Sequence, residues 1–133
     1  MTPHREVFLV DDDPSVRRAI ERLLRSAGYL VRTFGSAREI RQALDGSAQE
    51  DPACLLLDVR MPGHTGFDVF EWVRTTGRDI PVIFMTGDVD TSLATRAMNA
   101  GAVEYLAKPF DDEALLEAIR KAFALAAAQR PSR

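Results

Sequence analysis

Short apolar runs that end in a polar residue recur along the chain, and between them apolar residues return at helical spacing. Val7-Phe8-Leu9-Val10 ends in Asp11-Asp12-Asp13, Cys54-Leu55-Leu56-Leu57 in Asp58, and Val82-Ile83-Phe84-Met85 in Thr86. A further segment, Val103-Glu104-Tyr105-Leu106-Ala107, ends in Lys108-Pro109. Unbroken apolar runs of this length suit strands buried on both faces. Between the first two runs, Pro14 fits a first helical position with Asp13 as N-cap, and Val16, Ala19, Ile20, Leu23 and Leu24 form one helical face that Gly28 ends. Tyr29 to Phe34 reads as a strand, and Ser36 with Glu39 as a capping box for a helix carrying Ile40, Ala43 and Leu44. Asp45 to Pro52 reads as loop.

After the Cys54 run, Pro62-Gly63-His64-Thr65-Gly66 reads as a turn-rich loop before a helix with Phe67, Phe70 and Val73 on one side. Gly77 and Pro81 bracket the next connection. A short helix from about Ser92 to Asn99 is ended by Gly101, and its Ala-rich composition predicts loose packing. The last helix starts near Asp112, with Leu115, Leu116, Ile119, Ala122 and Phe123 as its inner face. Five β-α repeats in this order predict a flavodoxin-like doubly wound α/β fold, (βα)5, with a parallel sheet in strand order 2-1-3-4-5. Right-handed crossovers place helices on both faces. The first and third strands are then neighbours, so Asp11, Asp12 and Asp58 meet at the switch point, where such sheets bind ligands.

Composition changes this picture little. The 133 residues suit one domain, over residues 1–123, with residues 124–133 as the end of the last helix and a tail or linker. A formal net charge of -3, from 17 Lys+Arg against 20 Asp+Glu, offers no basic field for direct nucleic-acid binding. Cys54, the only cysteine, falls in an apolar run and reads as a structural thiol, with no disulfide within the monomer. The start lacks the apolar core of a signal peptide and no run approaches bilayer-spanning length, so no membrane association and a cytoplasmic location are expected.

The chemistry lies in the run ends. Clustered carboxylates repel one another, and a hard cation resolves the repulsion. Mg2+ (or Mn2+) suits one or two carboxylates plus water and phosphate oxygens. Asp12 and Asp58 would bind it directly and Asp11 through water, with a backbone carbonyl near Arg60 completing the shell. Asp58 can then act as nucleophile in phosphoryl transfer, with Lys108 and the Thr86 hydroxyl on phosphoryl oxygens. The Lys108-Pro109 bond is a candidate cis peptide. Plainer readings stand beside these. Asp13 is better explained as a cap than as a ligand, Asp11 and Asp12 could be a solvated capping pair, and Thr86 or Lys108 alone would be unremarkable. Tyr105 reads equally as a packed strand aromatic, His4 and His64 read as solvent-facing loop residues, and Trp72 reads as a partner contact or a packing edge.

Taken together, DDD after VFLV, LLLDVRMPG, VIFMTG and AGAVEYLAKPF resemble the receiver domains of two-component response regulators, over about Glu6 to Phe123. GHTGF and the stretch from TGDVD onward look most like receivers that precede LuxR-type helix-turn-helix output domains. The resemblance implies a phospho-accepting Asp58, metal ligation by Asp11, Asp12, Asp58 and the Arg60 carbonyl, and switch roles for Thr86, Tyr105 and Lys108. It implies a sensor histidine kinase or phosphotransfer protein as donor, with self-catalysed aspartyl phosphorylation and slow autodephosphorylation. It also implies that the fourth helix, fifth strand and fifth helix form a surface signalling to an output domain, to a separate protein target or to a phosphorylation-dependent homodimer. Arg60 and Asp88, each two residues past a site residue, are expected to pair and lengthen the phosphorylated state. Two other readings are open: a haloacid-dehalogenase-like phosphatase using Asp11, which leaves Asp58 unexplained, and a phosphorylation-independent docking module.

Overall fold

A computed structural model describes residues 6–45, 52–61, 64–87 and 91–129. Five strands, β1 (Glu6–Val10), β2 (Leu30–Phe34), β3 (Cys54–Asp58), β4 (Val82–Thr86) and β5 (Glu104–Ala107), form one parallel sheet in the order β2-β1-β3-β4-β5. Helices α1 (Pro14–Ser26), α2 (Ala37–Asp45), α3 (Gly66–Thr75), α4 (Thr91–Asn99) and α5 (Asp112–Gln129) connect or follow them. This is the doubly wound order predicted from the run pattern. The stretch read as loop after β3 also carries a two-residue antiparallel ladder, Arg60–Met61 against His64–Thr65. None of the described helices is long and apolar enough to cross a membrane.

The unbroken apolar runs are explained by two cores, one on each face of the sheet. Alternate residues feed each: Phe8, Val10, Leu55, Leu57 and Phe84 pack with Ile40 and Leu44 of α2 and Val69 and Val73 of α3. Val7, Leu9, Leu56, Ile83 and Met85 pack with Ile20 and Leu24 of α1 and Leu115 and Ile119 of α5. Side chains alternate across a strand, so a strand covered on both sides has no position for a polar residue until it leaves the sheet. Cys54 is fully buried, and its thiol is raised far above its usual range by desolvation, which makes it inert.

Short-range hydrogen bonds close the helix ends. Asp13 caps α1, accepting from the backbone N–H of Ser15 at 2.9 Å and of Val16 at 3.4 Å, with Pro14 following it. At α2 the Ser36 hydroxyl accepts the Glu39 N–H, yet the Glu39 carboxylate reaches back to Gly35 N–H at 3.0 Å, one residue earlier than the capping box predicts. A full capping box stands instead at α3, where Thr65 and Asp68 each accept the other's backbone N–H. In α4 the described side chains are mostly exposed and only Ala97 is buried, in keeping with its loose packing. Trp72 is half-buried against the core, with the Arg41 guanidinium 5.7 Å from its ring centroid, so it is a packing edge. His4 lies outside the described residues.

Candidate functional site

Strand register assembles the run ends. Val10 pairs with Leu57, Asp58 with Met85 and Thr86 with Ala107, so Asp11, Asp58, Thr86 and Lys108 leave four adjacent strands at one edge. Backbone bonds carry the pairing to that edge: Asp11 N–H donates to the Phe34 carbonyl at 3.1 Å, Val59 N–H to Met85 at 2.8 Å and Lys108 N–H to Thr86 at 2.7 Å. Asp11, Asp58 and Thr86 are the buried polar side chains among the described residues, and Asp12 is exposed beside them. One carboxylate oxygen from each of Asp11, Asp12 and Asp58 lies within 4.8 Å of the others.

Lys108 closes the cluster. Its Nζ donates to Asp11 Oδ2 at 2.8 Å and to Asp58 Oδ2 at 3.4 Å. The Lys108-Pro109 bond is cis. Asp11 Oδ1 accepts the Asp13 N–H at 2.9 Å, and Asp58 Oδ1 accepts the Arg60 N–H at 3.3 Å. Burial pulls the Lys108 ammonium toward its neutral form, but the hydrogen bond to Asp11 and the charges of Asp58 and Asp11 outweigh it and hold its pKa above the usual value. Three carboxylates therefore face one firmly protonated ammonium, an excess of negative charge that suits a hard divalent cation. Asp12 lies exposed next to the two buried acids, at the solvent side of the cluster.

Asp58 is pushed up from 3.8 to about 6, first by desolvation and then by the Asp11 carboxylate, with Lys108 and the Arg60 N–H acting the other way. A carboxyl that holds its proton more tightly in the folded chain favours folding at low pH, and that contribution is lost as pH rises from the unfolded value through the folded one. In metal-free buffer, Asp58 should cost the fold on the order of 2–3 kcal/mol at neutral pH relative to roughly pH 4. Urea midpoints of wild type and Asp58→Asn across that window check this: the variant should gain relative to wild type as pH rises, and parallel profiles would contradict it.

Of the other residues singled out in the sequence, Tyr105 is half-buried in β5 against the core containing Phe84, and Arg60 is exposed just past β3. Asp88 lies outside the described residues, so its expected pairing with Arg60 does too. Two residues that the run pattern passed over belong to the site. Gly66, the first residue of α3, lies against the Asp58 carbonyl, and Arg17 of α1 donates from Nη1 to the Asp11 carbonyl at 2.7 Å. Gly66 carries the turn signal of its loop, but its close approach to β3 leaves no local trace.

Comparison with known proteins agrees with this geometry. Nodulation protein W of Bradyrhizobium diazoefficiens is 45% identical over 113 residues, covering 85% of this chain and 48% of that protein. The response regulator protein TodT of Pseudomonas putida is 43% identical over 124 residues, covering 93% of this chain and 53% of that one. This chain thus spans about half the length of these curated relatives. Among solved structures, the response regulator StyR superposes with a TM-score of 0.83 at 42% identity, over 94% of this chain and 62% of that chain. A response regulator receiver protein from Burkholderia phymatum superposes with a TM-score of 0.81 at 39% identity, over 90% and 94% of the two chains. The phosphatase reading is not favoured, since it would leave the buried Asp58, set beside Asp11 and Lys108, without a role. With residues 7–120 matched by the family model for the response regulator receiver domain, and the acidic strand ends set where that fold carries its ligands, the chain belongs to the response regulator receiver domain family.

Proposed function

We propose that this receiver accepts a phosphoryl group on Asp58 from a histidine kinase or phosphotransfer protein. The observation that carries the reading is the Lys108 ammonium held against both Asp11 and Asp58 at the edge of the sheet. An Asp58 carboxylate oxygen attacks the phosphorus in line; the P–O bond forms as the P–N bond to the donor imidazole breaks, and the imidazole keeps the bonding pair and is protonated from water. Lys108 swings from Asp58 onto a phosphoryl oxygen while Thr86, one strand over, donates its hydroxyl to another. Asp11, Asp12, Asp58 and the Arg60 carbonyl would hold Mg2+ or Mn2+, which would supply charge neutralisation to the transfer. Drawing Thr86 toward the phosphoryl group leaves room for Tyr105 to turn inward, which reshapes the surface of α4, β5 and α5 for an output domain, a protein target or a second copy. Such a domain acts in the cytoplasm, where its donors present their phosphohistidines. The test is intact-mass spectrometry after incubation with acetyl phosphate and Mg2+: one phosphoryl adduct per chain is expected, and its absence with both acetyl phosphate and a kinase donor would leave the docking-module reading.

A cavity of about 470 Å³ beside Lys108, lined by Ala19, Leu23, Pro109, Phe110 and Leu115, offers the donor protein an apolar footing next to Asp58. Ala19 is exposed on α1, so Ala19→Glu adds a charge at this surface and leaves the core intact. Transfer from a histidine kinase that labels the wild type should fall at least about tenfold through lost apolar contact, while labelling by acetyl phosphate is unchanged. Equal losses with both donors would place the effect at the site itself.

A further inference from the structure

We propose that Arg17 is a positioning residue for the acidic site: its guanidinium, seated against Gly35, fixes the Asp11–Asp12 peptide and through it the Asp12 carboxylate. The inference rests on the reading of Asp11, Asp12 and Asp58 as a divalent-cation site. Arg17 lies on α1 and is half-buried, and its Nη1 donates to the Asp11 carbonyl at 2.7 Å. That bond completes Asp11, whose N–H, carbonyl and two carboxylate oxygens are engaged by the Phe34 carbonyl, Arg17, the Asp13 N–H and Lys108. The Asp12 carboxylate is exposed, and among the described residues no hydrogen bond holds it. The backbone therefore sets where its Cα and Cβ stand, and with them the range its carboxylate can reach. The peptide is planar, so the hydrogen bond that orients the Asp11 carbonyl also orients the Asp12 nitrogen and Cα.

Gly35 supplies the room. A Cβ there would lie 3.0 Å from Arg17 Nη1 and 3.8 Å from Glu39 Oε2, and Glu39 in turn accepts the Gly35 N–H at 3.0 Å. Gly35 is not among the positive-φ glycines, so its missing side chain, and not its backbone conformation, is what the position uses. The loop after β2 thus backs the guanidinium against the loop after β1. Two effects of Arg17 oppose each other. Its charge repels a cation in the acidic site, whereas its hydrogen bond orders one of the ligands, and outer groups that orient ligands typically change metal affinity by roughly 10–100-fold. Positioning predicts weaker binding when Arg17 is removed, and charge alone predicts tighter binding.

The experiment is direct Mn2+ binding, read from the electron paramagnetic resonance of the free ion, for wild type, Arg17→Ala, Arg17→Lys, Gly35→Ala and Asp12→Ala, with urea unfolding of each. Arg17→Ala should bind Mn2+ about tenfold more weakly, Arg17→Lys should recover part of the loss, and Gly35→Ala, which keeps the charge but crowds it, should be weakened a fewfold. Saturating Mg2+ should restore the maximal rate of acetyl phosphate labelling in Arg17→Ala. Unchanged or tighter binding in Arg17→Ala, with Asp12→Ala unable to bind, overturns the positioning role alone. Binding that survives Asp12→Ala overturns the reading of the site on which it rests.

Discussion

Asp58→Asn should abolish the phosphoryl adduct formed with acetyl phosphate and Mg2+, while the chain stays folded. Asparagine keeps the shape of the side chain and an oxygen for the Arg60 N–H, which Asp58 Oδ1 accepts at 3.3 Å. It removes the charge that desolvation and the Asp11 carboxylate disfavour, so stability at neutral pH should hold or rise. What is lost is the nucleophile, since an amide oxygen does not form a stable acyl phosphate, and intact mass should read the change as all or none. Asp11→Asn should behave differently. It leaves Asp58 in place and weakens cation binding and the hold on Lys108, so its adduct should form slowly and recover with added Mg2+. An adduct retained by Asp58→Asn and lost in Asp11→Asn at every Mg2+ concentration would move the nucleophile to Asp11 and revive the phosphatase chemistry.

The residues of this site were legible in the sequence where each ends an apolar run. Asp58 and Thr86 end strands whose every side chain is buried, and Asp11 follows the buried run from Val7 to Val10, so the polar residue closing each run marks the sheet edge, and strand order then turns distance along the chain into adjacency. Lys108 was legible less directly, because β5 is an edge strand that carries the half-buried Glu104 and the exposed Ala107, so its run is not unbroken. Arg17 was not, because on an amphipathic helix an arginine between Val16 and Ala19 has the pattern of a solvated face, and its bond to the Asp11 carbonyl depends on where β1 ends relative to α1. The Thr65 and Asp68 capping box carried a readable spacing, but the preceding Pro and Gly residues made the segment look like continuous turn. Glu39 reaching Gly35 rather than Ser36 is a matter of loop geometry that spacing cannot specify.

Gly66→Ala should both destabilise the chain and slow its labelling, although it adds a single methyl group. A Cβ at Gly66 would lie 2.6 Å from the Asp58 carbonyl oxygen and 3.2 Å from both the Asp58 carbonyl carbon and the Val59 Cα, all of them backbone atoms. Neither side of this contact can yield cheaply. Gly66 begins α3 and donates its N–H to the Val59 carbonyl at 2.8 Å, while the chain just past β3 is tied to β4 by the Val59 N–H on Met85, also at 2.8 Å. The helix must therefore tilt away, or the end of β3 must shift. Overpacking of this kind costs about 2–3 kcal/mol, which for a domain of this size lowers the melting temperature by roughly 8–12 °C. If the end of β3 yields, Asp58 moves relative to Lys108 and Asp11, and adduct formation should slow even in the fraction that remains folded. Gly87→Ala is the matched control, since a Cβ there meets nothing within 4 Å and its φ is not positive, and it should melt close to wild type. A Gly66→Ala protein that melts with this control and labels at the wild-type rate would show that α3 does not press on the strand carrying Asp58. If both properties fall, the glycine is what lets the helix start directly against the proposed phosphorylation site.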